Sequence, residues 1–125
     1  MAKIFLDANI FIDLVEERKS TDRKQLYTHD LYLSPLSIHI LTYLYKYKIP
    51  DERLANIEMF FELIPFNTQI TVEALEGPTA DFEDNVQLTS ASTAQCDVFL
   101  TSDEKLLKLK FFGKMKLKSS LPLPL

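Results

Sequence analysis

Four aspartates stand where short apolar runs give way to turns or helix starts. Asp7 follows Ile4-Phe5-Leu6, Asp81 and Asp84 open the stretch 81–95, and Asp103 follows Val98-Phe99-Leu100 by way of Thr101 and Ser102. Carboxylates held close together repel and raise one another's pKa, so such a cluster is stable mainly when a cation sits within it. All-oxygen ligands of this type suit Mg2+ or Mn2+, with waters filling the octahedron. A cation so held could activate water for a displacement at phosphorus. Each acid also has a plainer use. Asp7 can end a turn or cap a helix, and Asp103 can cap a helix over 103–110. Asp81 can be an N-cap, with Asp84 three residues on as its capping-box partner. Acids in a first turn also complement the helix dipole.

The choice depends on which elements carry these residues. Residues 3–6 read as a buried strand, and Ile10, Phe11, Leu14 and Val15 have helical spacing within a helix over 9–17. A further helix is expected over roughly 20–28, and Leu31–Ser34 is a second strand. Pro35 is well placed to start a helix whose apolar face is Leu36, Ile40, Leu41, Leu44 and Tyr45. Pro50-Asp51 opens another helix carrying Leu54, Ile57, Phe60 and Phe61, followed by a short third strand at 62–65. Residues 68–76 are expected to be helical up to Gly77. Residues 81–95 read as helix, 97–101 as strand, 103–110 as helix, and Met115–Lys118 as a short edge strand. Strands alternating with helices imply an α/β fold: a central parallel sheet with helices on both faces, in one three-layer domain over 1–125.

In that fold the acids converge. A helix that leads into a parallel strand begins at the sheet's carboxyl edge. Helix 81–95 leads into strand 97–101, so Asp81 and Asp84 belong at the same edge as Asp7 and Asp103. Ligands of open α/β sheets bind at that edge.

Composition narrows the class. The chain has 125 residues, 46% of them hydrophobic, and a single cysteine, Cys96. One cysteine excludes a disulfide framework and a cysteine zinc cluster, and Cys96 reads as a small core residue. Met1-Ala2-Lys3 leads straight into a strand, so no signal peptide is expected. No apolar run approaches the length of a membrane span, and a reducing, cytoplasmic setting is expected. The net charge is −4, but residues 105–125 hold Lys105, Lys108, Lys110, Lys114, Lys116 and Lys118 and no acid. A basic end on an acidic body is either a nucleic-acid surface or a solvated helix and edge strand whose lysines discourage edge pairing.

Three segments carry a resemblance. Leu6-Asp7-Ala-Asn9-Ile10-Phe-Ile-Asp13 is similar to the opening of PIN-domain proteins, where Asp-x-Asn follows the first strand. Asp81-Phe-Glu-Asp84-Asn-Val-Gln-Leu88 resembles the family's Asp-Phe-Glu-Asp-Ala-x-Gln segment. Asp97-Val-Phe-Leu-Thr101-Ser-Asp103 resembles its Asp-x-x-x-Thr-x-Asp ending. Each motif is weak alone, but the three in order over residues 3–103 are fairly specific. The resemblance implies a metal-dependent ribonuclease of the VapC-like toxin kind. Its metal-site acids would be Asp7, Asp84 and Asp103, with Asn9, Thr101 and Asp81 in support and Mg2+ or Mn2+ as cofactor. It also implies an RNA substrate, an antitoxin partner docked over the cleft and pairing as a homodimer. Tyr43, Tyr45, Tyr47, Phe60 and Phe61 cannot all face one core, so some are expected to remain exposed.

One position departs from the family. Its members usually carry a glutamate six residues after the serine that ends the second strand. Here Ser34-Pro-Leu-Ser-Ile-His39-Ile40 puts isoleucine there. His39 should point about 100° away around the helix, as a surface or packing residue. A lost carboxylate weakens metal binding, so a catalytically impaired PIN-like module that binds RNA or protein is the alternative. A receiver-like signalling domain also uses acids and a threonine at strand ends. It needs a lysine after its last strand and more acids just after the first, which this chain lacks.

Overall fold

The strands are short because each is a brief apolar run cut off by a capping residue. The computed structural model describes residues 2–18 and 23–121, with the side chains of Arg23 and Lys24 outside the description. Strand β1 is Lys3–Leu6, ended by Asp7, which caps helix α1 (Ala8–Val15). Helix α2 is Arg23–Leu26 and strand β2 is Asp30–Leu33. The first residues expected in the helix over 20–28 lie outside the described residues. Ser34 caps α3 (Pro35–Leu44), its side chain accepting from the Leu36 N–H, with Pro35 in the first turn. Strand β3 is Glu62–Leu63, and α4 is Thr68–Ala74, capped by Asn67. Then come α5 (Phe82–Thr93), β4 (Val98–Leu100), α6 (Glu104–Leu107), β5 (Phe111–Phe112) and β6 (Met115–Lys118).

The sheet has six strands in the order β3-β2-β1-β4-β6-β5. All neighbours are parallel except β5 and β6. Side-chain alternation along β1 and β4 builds two cores. Ile4, Leu6, Val98 and Leu100 face α1, α2 and α3. Phe5 and Phe99, stacked at 5.3 Å, face α4, α5 and α6 with Met115 and Leu117. Cys96 is buried in this second core, and burial pushes its thiol up to about 12, as suits an inert core residue.

Two expectations are corrected. The helix expected from Pro50 through Phe61 is instead two 3-10 turns, Glu52–Leu54 and Ile57–Met59. The Asp51 carboxylate takes both the Arg53 N–H and its guanidinium and so caps the first of these turns. Ala55 is extended, and Asn56 lies in the left-handed region at φ 57°. The spacing of Leu54 and Ile57 suits three residues per turn equally well. The second correction is at the far end of the sheet. Helix α6 stops at Leu107, and β5 pairs antiparallel with β6, so β6 is internal and β5 is the edge. The turn is two residues, Gly113 and Lys114, with Gly113 at φ 64°, where glycine is favoured.

Candidate functional site

The end of β1 is tied to β4 where the Asp7 N–H donates to the Leu100 carbonyl at 2.9 Å. This places Asp7 at the carboxyl edge of the two central strands, only 4% exposed. One carboxylate oxygen accepts the Ala8 N–H at 2.8 Å, capping α1. The other accepts the Thr101 hydroxyl at 2.6 Å. Burial raises the Asp7 pKa, while those two hydrogen bonds pull it down and the charges of Asp103 and Asp81 push it further up.

Thr101 is the hinge of the site. Its hydroxyl donates to Asp7 and accepts the Asp103 backbone N–H at 3.0 Å, so a single buried oxygen sets the spacing of two acids. Asp103 in turn caps α6 through the Lys105 N–H at 2.8 Å.

The acids of α5 arrive from the other side. Asp81 accepts the Asp84 N–H at 3.1 Å and so caps the helix. The box is only half formed, because the Asp81 N–H goes to the Thr79 hydroxyl at 3.0 Å and not to Asp84. The Asp84 carboxylate is thereby left out of the cap. Its pKa is pushed up to about 6, first by desolvation and then by Asp81, Asp7, Asp103 and Glu83. Coulomb coupling fades quickly with distance near a solvated surface. The shared coupling therefore puts Asp7, Asp81, Asp84 and Asp103 in one neighbourhood.

The neighbourhood is not a closed cage. Among the described residues, no group of three or more His, Cys, Asp or Glu side chains is arranged to hold a metal ion. Mg2+ is commonly held by one or two carboxylates with waters and substrate phosphates supplying the rest. A set of carboxylate oxygens in which burial raises the pKa of Asp7 and Asp84 fits such a loosely held hard cation.

The remaining expected residues fall as follows. Asn9 is the second residue of α1 and is exposed. Ile40 is half-buried and packs against the first core. His39 is exposed and stacks on Tyr43 at 5.9 Å between ring centres. Tyr43, Tyr45 and Phe60 are exposed, while Phe61 is buried.

Positioning residues were missed by the pattern reading. Asn85 is buried and makes four bonds that hold the segment before α5. Its amide donates to the carbonyls of Ala74 and Thr79, both at 2.9 Å. Its oxygen accepts the Thr79 N–H at 2.9 Å and the Thr79 hydroxyl at 2.7 Å. Thr79 then holds Asp81, so the chain Asn85-Thr79-Asp81 fixes the helix start that presents Asp84. Gln87 is also buried, its amide donating to the Ser37 hydroxyl of α3 at 3.0 Å. A signal was available: polar residues crowd the middle of α5, where they must be either solvated or networked.

A three-layer α/β domain with acids gathered at the carboxyl edge of its central strands defines a broad structural class. Within that class the chain belongs to the PIN domain family, whose sequence profile matches residues 4–112. Several solved structures share the fold, two of them as follows. One is VapBC2 from Rickettsia felis bound to a DNA fragment from their promoter, at TM-score 0.67 and 15% identity, covering 96% of this chain and 99% of that one. The other is FitAcB from Neisseria gonorrhoeae, at TM-score 0.52 and 19% identity, covering 80% of this chain and 87% of that one. No curated protein sequence matches the chain.

Proposed function

We propose that this chain is a metal-dependent endoribonuclease of the PIN type, the toxin of a toxin–antitoxin pair, acting in the cytoplasm. The observation that carries the reading is the acid neighbourhood joined by Thr101, in which Asp84 is pushed up to about 6 by desolvation and then by its acidic neighbours. Asp7, Asp84 and Asp103 would hold Mg2+ or Mn2+. The bound cation would supply an activated water and charge stabilisation for hydrolysis of an RNA phosphodiester. Asp7 is fixed by Thr101 and by the cap of α1, so it keeps one orientation without reorganisation. Asp84, outside the cap, is free to turn toward a cation held between the acids. Asp81 anchors the helix that presents it.

Two surface features support the partners of this reading. An open groove of about 220 Å³ beside α1, lined by Phe11, Leu14, Tyr27, Ile57, Phe60 and Phe61, suits an apolar peptide such as an antitoxin's tail. The exposed Tyr43, Leu44 and Ile49 suit a homodimer interface. No helix among the described residues is long and apolar enough to cross a membrane.

One observation favours a second reading. The position that would carry a glutamate is Ile40, packed into the first core, and no three acids are arranged as a ready cation site among the described residues. A catalytically impaired module that binds RNA or protein is that alternative. Cleavage of a labelled RNA in Mg2+ and in Mn2+ separates the two. Turnover abolished by Asp7→Asn and by Asp84→Asn supports the nuclease. RNA binding without turnover in either metal supports the binding module.

A further inference from the structure

The lysine-rich end of the chain does not do what an edge strand's lysines do. β6 is bonded on both sides, to β4 and to β5, so Lys116 and Lys118 protect no open edge. Alternation sends Met115 and Leu117 into the second core and turns Lys116 and Lys118 to the opposite face. On β5, Phe112 packs toward the same core, and Phe111, paired with Lys116, turns to the lysine side. Phe111 is 57% exposed there, with its ring face open beside the lysines. Among the described residues the ion pairs are made by Arg18 and Arg53, so both lysines keep their charge for something else. Asp97 precedes the Val98–Lys116 register, but its carboxylate accepts the Lys3 backbone N–H at 2.8 Å.

The strip leads to the acids. Lys118 is in register with Leu100, and its carbonyl accepts the Thr101 N–H at 2.9 Å, beside the hydroxyl that joins Asp7 and Asp103. From Lys118 the strip runs about 7 Å back along β6 to Lys116 and about 5 Å across to Phe111. An exposed aromatic flanked by free cations on a sheet face binds unstacked bases and their phosphates. The acidic body around it repels the same polymer, so an RNA would be steered along this strip.

We propose that Phe111, Lys116 and Lys118 form a track for single-stranded RNA, with one base stacked on Phe111 and the backbone led by the lysines to the acidic edge. The track rests on the nuclease reading for its substrate class, but its binding can be read without turnover. The test is fluorescence anisotropy of a fluorescein-labelled single-stranded oligoadenylate with the full chain in EDTA, where cleavage is off.

Phe111→Ala should weaken binding about 10-fold and Phe111→Tyr should restore it, because the ring face is what stacks. Lys116→Gln should lower the slope of log affinity against log salt by about 0.7, the loss of one phosphate contact. Lys108→Glu, at the C-cap of α6, the helix packed on the other face of the sheet, controls for overall charge and should do less than Lys116→Glu. Thermal melts of each variant confirm the fold. Equal losses from Lys116→Glu and Lys108→Glu, or unchanged binding by Phe111→Ala, overturn the track and leave the nuclease reading intact. So does loss of self-association in Phe111→Ala with RNA binding kept, which makes the strip a protein interface. Natural protein that binds this RNA through the track yet never cleaves RNA sinks the nuclease reading alone. Natural protein that neither binds nor cleaves RNA sinks both.

Discussion

Replacing Asp84 by asparagine should stabilise the metal-free protein at neutral pH. An unfolded aspartate titrates near 3.9, whereas in the folded chain Asp84 is pushed up to about 6. Between those values the folded state binds more protons than the unfolded one. Stability therefore falls as pH rises through this window, and the penalty is fully present above pH 6. A shift of this size corresponds to at most about 3 kcal/mol. Asp84 is half-buried but keeps one side in water, so screening reduces the expected cost to about 1 kcal/mol. The asparagine side chain would fill the same space and keep the cap, because Asp81 bonds the backbone N–H of residue 84 and not its side chain. It would forfeit a favourable charge–dipole interaction of about 0.5 kcal/mol in the first turn of α5. The net gain, about 0.5 kcal/mol, is an apo Tm increase of about 2 °C at pH 7.5.

The assay is a set of thermal melts at pH 5 and pH 7.5, in EDTA and in Mn2+. The natural protein should lose stability between pH 5 and pH 7.5 relative to Asp84→Asn, and it should gain more from Mn2+. The difference between the two proteins isolates Asp84, since Asp7 is raised in both. If Asp84→Asn melts lower at pH 7.5, follows the same pH course and keeps the full response to Mn2+, Asp84 is a helix-start acid and nothing more.

Other substitutions probe the supports of the site. Thr101→Val removes the hydroxyl between Asp7 and Asp103 at almost constant volume; it should cost about 2 kcal/mol by calorimetry and abolish any RNA cleavage. Asn85→Ala breaks four bonds before α5 and should cost about 3 kcal/mol, with hydrogen exchange rising first at residues 79–84. Ile40→Glu adds an oxygen ligand on α3 and should tighten Mn2+ binding in a calorimetric titration while lowering the apo Tm, since a half-buried charge replaces a packed methyl group. Unchanged metal affinity there would show that Ile40 does not face the acids.

Much of the fold was legible because its signals are local. Ser34-Pro35, Asn67, Asp81 and Asp103 begin helices by side-chain capping, which acts within three residues. The strands at 3–6 and 98–100 announce themselves as short apolar runs buried on both faces. The segment from Pro50 to Phe61 misled because spacing of three fits a helix and a 3-10 turn alike, and the break at extended Ala55 and left-handed Asn56 leaves no mark on that spacing. The β5–β6 hairpin had a readable signal in Gly113-Lys114 between two short runs, but six lysines made the region look like a solvated helix and a lone strand. Asn85 and Gln87 could not be placed by periodicity, since their burial depends on partners in other elements, Ala74 and Ser37.

The acids themselves show why capping and chemistry are not rival explanations. Asp7, Asp81 and Asp103 each cap a helix, and each does so with one carboxylate oxygen. A carboxylate has two oxygens and about four acceptor sites, so a single backbone N–H leaves most of its capacity unused. For Asp7 that spare capacity already goes to Thr101. The cap fixes where the group points, and the unused lone pairs set what it can bind. In a parallel α/β sheet the helix starts and the ligand edge are the same place, so the residues that begin the helices are also those that line the cleft. Asp84 is the informative exception. It caps nothing and is the acid pushed up to about 6, so beyond its place in the dipole of the first turn its carboxylate oxygens stay uncommitted at the sheet edge.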